Sequence, residues 1–326
     1  MKRHNKIVAI IAVMALLMMT LVGCGGGSDS GGGDAESYKI GVLQQLEHPA
    51  LDAATQGFVD TLEDLLGDAV EIDIQNAQNE PANCSTIAST FVAGQYDLIL
   101  ANATSALQAA SAATADIPIV GTSITDYATA LDISDWSGAT GINVTGTSDL
   151  APLEEQANMI KEVCPDVQKV GLLYCSAEAN SIYQVKEMEG YLDAMGIAWE
   201  EYSAADSNEI QAVTTNAVAS CDVIYIPTDN TMAGSTETIK NIVVNAGVPV
   251  IAGEQGICAG CGVATLSISY YDIGVAAGQM AYDILVNGAD VATMDIQTAA
   301  NVTKLFNAEI CTELGITPPE GYSAIE

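Results

Sequence analysis

Short apolar runs rich in β-branched residues alternate with helical patterns from Lys39 onward. The first four runs read KIGVLQQ, VEIDIQNA, DLILAN and IPIVGTS. Between them, apolar residues at helical spacing predict helices from about Leu51 to Leu66, Asn83 to Ala93 and Ala106 to Ala115. Strands that alternate with helices in this way indicate a parallel β-sheet with helices on both faces.

The same order of elements recurs from Lys169, with the runs KVGLLYCS, WEEYSA, DVIYIPTDN and VPVIAGEQG. The match extends to details, since Lys39-Ile-Gly-Val-Leu corresponds to Lys169-Val-Gly-Leu-Leu and Ile117-Pro-Ile-Val to Val248-Pro-Val-Ile. Each copy is far longer than the unit of a solenoid repeat. The sequence therefore predicts an α/β fold with two lobes, each a parallel sheet flanked by helices.

Polar segments follow the predicted strands. They read QQLEHPALD, ANATSAL and GTSITDY in the first copy, and YCSAEANS, IPTDNT and AGEQG in the second. In open parallel sheets ligands bind beyond the carboxyl ends of the strands. A single Asn, Ser or Thr at such a position also fits the role of a helix N-cap. The six segments together favour a ligand cleft between the lobes.

The chain is expected to cross between the lobes three times. The predicted crossings lie near Gly146, near Tyr270 and after a helix from about Asp272 to Asn287. This division assigns residues 38–148 and 272–289 to the N-terminal lobe, and residues 149–271 and 290–326 to the C-terminal lobe. The tail is compatible with packing on either lobe.

The N-terminus has the pattern of an export signal. Lys2, Arg3 and Lys6 precede a run from Ile7 to Met19 that contains no polar side chain. This run is short for a membrane span, which needs about 20 apolar residues. We interpret residues 1–23 as a signal peptide.

Cys24 follows this signal directly. Leu21-Val22-Gly23-Cys24 resembles the lipobox of bacterial lipoproteins, in which the cysteine is acylated on sulfur and becomes the new N-terminus. The resemblance implies a lipid anchor at Cys24 that holds the protein on the outer face of a membrane. Residues 24–37 are rich in Gly and Ser and are interpreted as a flexible tether. The alternative is a secretory peptide whose cysteine is incidental.

The charge of the chain is strongly acidic. Residues 1–23 contain three of the nine basic residues and none of the 42 acidic ones, and Arg3 is the only arginine. A surface of this kind repels phosphate backbones, so we expect no nucleic-acid partner.

Cysteine and histidine are too sparse for most site chemistry. Seven cysteines remain besides Cys24, and Cys258-Ala-Gly-Cys261 is open to several interpretations: incidental, a local disulfide, a redox pair or half of a metal site. His48 is the one histidine after the signal, and neither a Walker-type loop nor a G-x-S-x-G motif is present. We therefore expect no enzyme activity, no metal and no cofactor.

Nearly the whole chain after the tether, from about Tyr38 to Pro319, resembles the substrate-binding lipoproteins of ABC importers, in the group with tryptophan- and tyrosine-binding proteins. The segments that carry the resemblance are EHPALDAATQGF, IDIQNAQNE, GTSDL, AEANS, VIYIPTDNT, ATLSISYYDIG and ELGITPPE. The resemblance implies a type I periplasmic-binding fold that closes on a ligand and delivers it to an ABC permease. GEQGICAGC departs from the family pattern, which leaves the ligand open.

An amino acid, with aromatic ones favoured, is the ligand that this resemblance implies. Without arginine, the carboxylate must meet hydroxyls and helix N-termini, and the candidates are Ala103, Thr104, Ser105, Thr122 and Ser123. For the ammonium the candidates are Asp229 and Glu254, each of which ends a strand of the second lobe. Glu47 and His48 are expected beside the ligand side chain. Further cleft candidates in the second lobe are Ser176, Asn180, Ser181 and Asn230.

Two alternatives remain on the same fold. A nucleoside or sugar carrier would use a similar cleft, although such clefts usually depend on stacked aromatic residues, arginines or carboxamides. A lipoprotein that acts as a surface receptor or adhesin is also compatible with the sequence. A bound small molecule would separate a carrier from an adhesin.

Overall fold

Two β-sheets organise residues 37–299 and 301–325, which this computed structural model describes. The strands are β1 (Tyr38–Gln44), β2 (Val70–Asn76), β3 (Leu98–Asn102), β4 (Ile119–Ile124), β5 (Val144–Ser148), β6 (Lys169–Cys175), β7 (Ala198–Ala204), β8 (Val223–Ile226), β9 (Val250–Ala252), β10 (Ala264–Ser267), β11 (Gln297–Thr298), β12 (Thr303–Phe306) and β13 (Ser323–Ala324). The first sheet has the order β11-β5-β4-β3-β1-β2, and the second β13-β12-β10-β9-β8-β6-β7. We call each sheet with its helices the first and the second lobe.

Helices cover both faces of each sheet. They are α1 (Pro49–Leu66), α2 (Pro81–Ala93), α3 (Thr104–Ala113), α4 (Tyr127–Leu131), α5 (Leu153–Val163), α6 (Ala179–Met195), α7 (Ile210–Val218), α8 (Asn230–Ala233), α9 (Thr236–Ala246), α10 (Gln255–Cys261), α11 (Tyr270–Leu285) and α12 (Ala308–Leu314). Short 3₁₀ turns occupy Gly67–Ala69 and Val291–Thr293.

The two-residue period of a strand explains how β1 fills two cores at once. Leu43 packs with Phe91 on one face of the sheet, whereas Ile40 and Val42 pack with Phe58 on the other. Strands β3 and β4 are buried along their whole length, as expected for a parallel sheet with both faces covered.

The central strands of the two sheets share one topology. The first lobe contains the order β5-β4-β3-β1-β2, and the second contains β10-β9-β8-β6-β7. Neighbouring central strands run parallel, and β12 pairs antiparallel with β10, between β10 and the edge strand β13. The α/β fold class with two parallel sheets, predicted from the internal repeat, is confirmed.

The third crossing between the lobes lies later in the chain than the sequence indicates. The sequence pattern places residues 290–326 in the C-terminal lobe, but β11 pairs with β5 of the first sheet. Two further hydrogen bonds hold the segment before β11 to the first lobe: Thr145 Oγ1 donates to the carbonyl of Met294, and the Ile296 N–H donates to the carbonyl of Gly138. The chain joins the second sheet only with β12 and β13.

Helices α1 and α11 pack against each other through glycines. A Cβ atom on Gly57 would lie 2.2 Å from the carbonyl oxygen of Tyr271, and one on Gly274 would lie 2.1 Å from that of Ala54. Real Cβ atoms do not come so close to another backbone, so only glycine permits this spacing. The close packing also fixes the N-terminal ends of both helices, which carry His48 and Tyr270.

The predicted signal peptide, Cys24 and the tether up to residue 36 lie outside the described residues. Among residues 37–299 and 301–325, no helix has both the length and the apolar character of a membrane span.

Candidate functional site

A small cavity lies between the lobes, at the carboxyl ends of their strands. Its free volume of about 10 Å³ is room for about one water molecule. The first lobe and its crossing segments contribute His48, Leu51, Ser123, Thr125, Asp149 and Tyr270. The second lobe contributes Asn180, Thr228, Asp229, Asn230, Ala233 and Glu254.

Two hydrogen bonds join the lobes beside this cavity. His48 Nε2 lies 3.1 Å from Asn230 Oδ1, and Asn79 Nδ2 donates to Thr231 Oγ1 at 2.8 Å. Because Asn230 uses its amide nitrogen to donate to Glu178, its Oδ1 is the acceptor and His48 Nε2 carries the proton. The Nδ1 atom of His48 then has no hydrogen-bond partner among the described residues.

Asp229 and Glu178 hold the loops of the second lobe together. Asp229 accepts hydrogen bonds from the N–H groups of Cys175 and Met232 and from Ser181 Oγ. Glu178 accepts five, from the N–H and side chain of Asn230, the N–H and side chain of Thr231, and the amide of Asn180. Burial, and then the charge of Glu178, raise the pKa of Asp229.

Asp149 lies at the first crossing between the lobes. Its carboxylate accepts hydrogen bonds from Thr125 Oγ1 at 3.1 Å and from the Tyr270 hydroxyl at 2.9 Å. Burial raises the pKa of Asp149 to about 6, and the nearby charge of Glu254 adds to this effect. This buried acid is therefore held by two neutral hydroxyl groups.

Glu254 caps helix α10 and also faces the cavity. Its carboxylate accepts hydrogen bonds from the N–H groups of Gly256 and Ile257, in the first turn of that helix. Burial raises the pKa of Glu254, while interaction with His48 acts in the opposite direction. His48 and Glu254 come from opposite lobes, so this interaction also spans the cleft.

Three residues of the cavity wall each have a buried polar atom without a hydrogen-bond partner among the described residues: His48 Nδ1, Ser123 Oγ and Asn180 Oδ1. These side chains are only 7, 5 and 6 % exposed. Buried polar groups are almost always satisfied in folded proteins, so three such atoms around one cavity mark a place for a polar ligand.

The backbone near this wall is strained. Ser123 has a φ of 57°, and Ala103 combines a φ of 85° with a ψ of 161°, a region nearly limited to glycine. Both residues lie at carboxyl ends of strands in the first lobe, next to α3 and the loop that carries Thr125. Strain of this kind concentrates at ligand-binding sites.

A model of one protein family, described as ABC transporter substrate binding protein, matches residues 39–325. The chain belongs to this family. It is 33% identical over 319 residues to a tyrosine-binding protein of Clostridioides difficile (strain R20291), covering 95% of this chain and 92% of that protein. The family consists of substrate-binding proteins, not enzymes.

Two solved structures of similar identity differ in how well they match this substrate-binding protein. An ABC domain in complex with L-Trp from Streptococcus pneumonia has a TM-score of 0.84 at 33% identity and covers 89% of this chain and 100% of its own. A ligand-free, open substrate-binding protein with adhesive properties from Clostridium difficile has a TM-score of 0.67 at 36% identity, covering 89% and 99%. The lobes described here are thus arranged more like those of the L-Trp complex, and the type I periplasmic-binding fold is confirmed.

The structure brings six of the thirteen predicted binding residues onto the cavity wall: His48, Ser123, Asn180, Asp229, Asn230 and Glu254. Ser181 stands behind Asp229, to which it donates a hydrogen bond of 2.7 Å. Ser105 lines a separate cavity of about 300 Å³ between the lobes, together with Gln45 and Glu178.

The other five predicted residues do not line the small cavity. Ala103, Thr104 and Thr122 are buried at the strand ends, and Thr122 Oγ1 accepts a hydrogen bond from Thr147. Glu47 is exposed and borders a surface pocket of the first lobe. Ser176 is exposed and donates to the carbonyl of Ala204 instead.

Sequence reasoning missed Asp149 and Thr125 as wall residues. Asp149 lies in the segment GTSDL directly after β5, so the rule that selected the other loops applies to it as well. In the sequence, that segment marks a crossing between the lobes and carries part of the family resemblance, but it is not among the six segments assigned to the cleft.

The cysteines of the C-x-x-C motif lie in the core of the second lobe rather than at the cavity. Cys258 and Cys261 are both free and buried. Burial raises the pKa of both thiols, which keeps them protonated. Within the described part of the chain, no group of three or more His, Cys, Asp or Glu side chains is placed to hold a metal ion.

Proposed function

We propose that this protein is an extracytoplasmic solute-binding lipoprotein of an ABC importer, that it closes its lobes around an amino acid, with aromatic ones favoured, and that it hands this ligand to an ABC permease. The observation that carries the proposal is the cavity between the lobes, where buried acids and three unpartnered polar atoms surround one small space. The tyrosine-binding relative and the L-Trp complex support the choice of ligand class.

Binding of an aromatic amino acid requires the cavity to enlarge. Its present volume suits about one water molecule, so a ligand the size of tyrosine enters only as the lobes move apart and side chains such as Leu51 and Tyr270 shift. Ligand contacts from both lobes would then favour the closed arrangement. This is the hinge closure expected of a binding protein that delivers its cargo.

A thermal-shift screen of the purified chain against the twenty amino acids, nucleosides and common sugars tests this proposal. A ligand that binds only the folded state raises the melting temperature. A rise with tyrosine, tryptophan or phenylalanine supports the proposed class. A rise only with nucleosides or sugars would replace it with the alternative carrier.

The lipid anchor is a separate part of the proposal and rests on the lipobox around Cys24. We expect Cys24→Ala to release the protein from membranes, because two acyl chains are what holds it there. Cys164→Ala is the matched control, since Cys164 lies in the second lobe at the end of α5. Membrane fractionation of both variants decides the point: a Cys24→Ala protein that still pellets with membranes is not lipid-anchored through this residue.

A further inference from the structure

The cavity wall is rich in hydrogen-bond acceptors and poor in cationic groups. Asp149, Asp229 and Glu254 all face it, and the lysines that the structure describes form ion pairs or lie on the outside of the lobes. His48 is the one basic side chain of the wall. A ligand that donates hydrogen bonds and carries positive charge suits such a wall better than an anion does.

The four buried acids near the cavity differ in how many acceptor sites remain. A carboxylate has about four. Glu178 accepts five hydrogen bonds and Asp229 three. Asp149 and Glu254 accept two each. Acceptor sites are therefore left mainly on Asp149 and Glu254.

A third acceptor belongs to Asn180. Its amide nitrogen donates to Glu178 and to the carbonyl of Thr228, so its orientation is fixed and Oδ1 is the unpartnered atom. An ammonium group has three N–H donors. Asp149, Glu254 and Asn180 offer it three acceptors on one cavity wall.

We propose that Asp149 and Glu254, with Asn180 Oδ1, form the subsite for the ligand's ammonium group, and that this group dominates recognition over the carboxylate. The inference rests on the proposed function, because it assumes an amino acid in this cavity. Both side chains line the same cavity, and the charge of Glu254 adds to the effect of burial in raising the pKa of Asp149. A bound ammonium interacts favourably with both charges, which couples the crossing segment to the second lobe.

Three compounds of one series separate the two ends of the ligand: L-tyrosine, tyramine, which lacks the carboxylate, and 3-(4-hydroxyphenyl)propionate, which lacks the ammonium. The same series is prepared for whichever amino acid gives the largest thermal shift. Calorimetric titration of the purified chain should show tyramine within about tenfold of tyrosine, and the des-amino acid weaker by at least about 100-fold. Equal or tighter binding of the des-amino acid overturns the inference while the proposed function stands.

Variants test the named residues. Asp149→Asn and Glu254→Gln each keep the side-chain shape and remove a charge, and each should weaken the amine and the amino acid by at least about tenfold. Glu63→Gln is the matched control, since it removes one charge from an exposed position of α1. Wild-type affinity in both site variants excludes the subsite. The variants' melting temperatures without ligand show whether the fold is kept.

The proposed function fails in a different way. If the amines bind and no amino acid does, the subsite stands and the ligand class changes to a cationic amine. If neither amines nor amino acids bind, both proposals are overturned.

Discussion

His48 of the first lobe is hydrogen-bonded through Nε2 to Asn230 Oδ1 of the second lobe at 3.1 Å. The same side chain lines the cavity, and its Nδ1 atom has no hydrogen-bond partner among the described residues. One side chain thus contacts the opposite lobe and borders the proposed ligand. This arrangement makes closure and ligand contact depend on the same residue.

Replacing His48 by alanine should weaken ligand binding by about tenfold. The closed form loses one hydrogen bond between lobes, worth about 1–1.5 kcal/mol, and Asn230 Oδ1 is left unsatisfied. Calorimetric titration measures the affinity, and small-angle scattering should show a larger mean radius of gyration with ligand present. Glu63→Ala, at an exposed position of α1, should leave both values unchanged. Unaltered affinity in the His48 variant would show that His48 does not contribute to lobe closure.

The stability of the ligand-free protein should fall as pH rises from about 4 to about 6. Asp149 has a folded-state pKa of about 6, above its ordinary value, so the folded protein binds this proton more tightly than the unfolded chain. This stabilisation is fully present at pH values below the pKa of Asp149 in the unfolded chain. It is lost as the pH rises through the pKa of Asp149 in the folded protein. A pKa difference of about 2 between the two states corresponds to about 3 kcal/mol across the whole window.

Urea unfolding at several pH values from about 4 to about 7.5 checks this dependence. The groups that face Asp149 are Tyr270, Tyr127 and Glu254, and of these Glu254, whose pKa burial also raises, contributes in the same direction. Asp149→Asn should flatten the profile relative to the wild type, because asparagine does not ionise. Parallel profiles for the two proteins would assign the pH dependence to other groups.

Asp229 should matter more for the fold than for the ligand. Its carboxylate caps α8 at Met232 and also accepts from Cys175 and Ser181. Asp229→Ala leaves these buried donors unsatisfied, and we expect a loss of about 2–4 kcal/mol in the free energy of unfolding. Ser176→Ala is the control, because this exposed serine comes directly after Cys175, the last residue of β6. A variant with unchanged stability but lost binding would restore Asp229 to the ammonium role that the sequence suggests.

Much of the fold follows from local pattern. The runs at β1 and β6 have the same spacing of β-branched and leucine residues, and each becomes the strand that pairs with both its neighbours in the sheet. The third crossing could not be found in this way. Strand β11 consists of Gln297 and Thr298 alone, which is too short for any hydrophobic period, and its place depends on pairing with β5.

The candidate site was predictable to the level of loops but not of roles. His48, Asn180 and Glu254 are selected because they follow strands, and the structure places them on the cavity wall. Whether an acid faces a ligand or holds neighbouring loops depends on how many donors surround it. The sequence does not reveal that number, which is why it favours Asp229 and misses Asp149.

Gly274→Ala should destabilise the first lobe by about 2 kcal/mol or more. The new Cβ would lie 2.1 Å from the carbonyl oxygen of Ala54, so α11 must move away from α1. Gly190→Ala is the matched control, because Gly190 lies within α6 and a Cβ atom added there would meet no described neighbour within 4 Å. At Gly190, alanine should raise the free energy of unfolding by about 0.5–1 kcal/mol, because it lowers the backbone entropy of the unfolded chain.

Thermal and urea unfolding measure the stability of both variants. If this packing holds, the Gly274 variant is less stable than the wild type and the Gly190 variant is more stable. Since α11 begins at Tyr270, which donates to Asp149, a shifted α11 should also weaken ligand binding in the Gly274 variant. The Gly190 variant should bind as the wild type does. Equal stability of both variants would show that α1 and α11 can separate without cost, and that the positions of His48 and Tyr270 are set by other contacts.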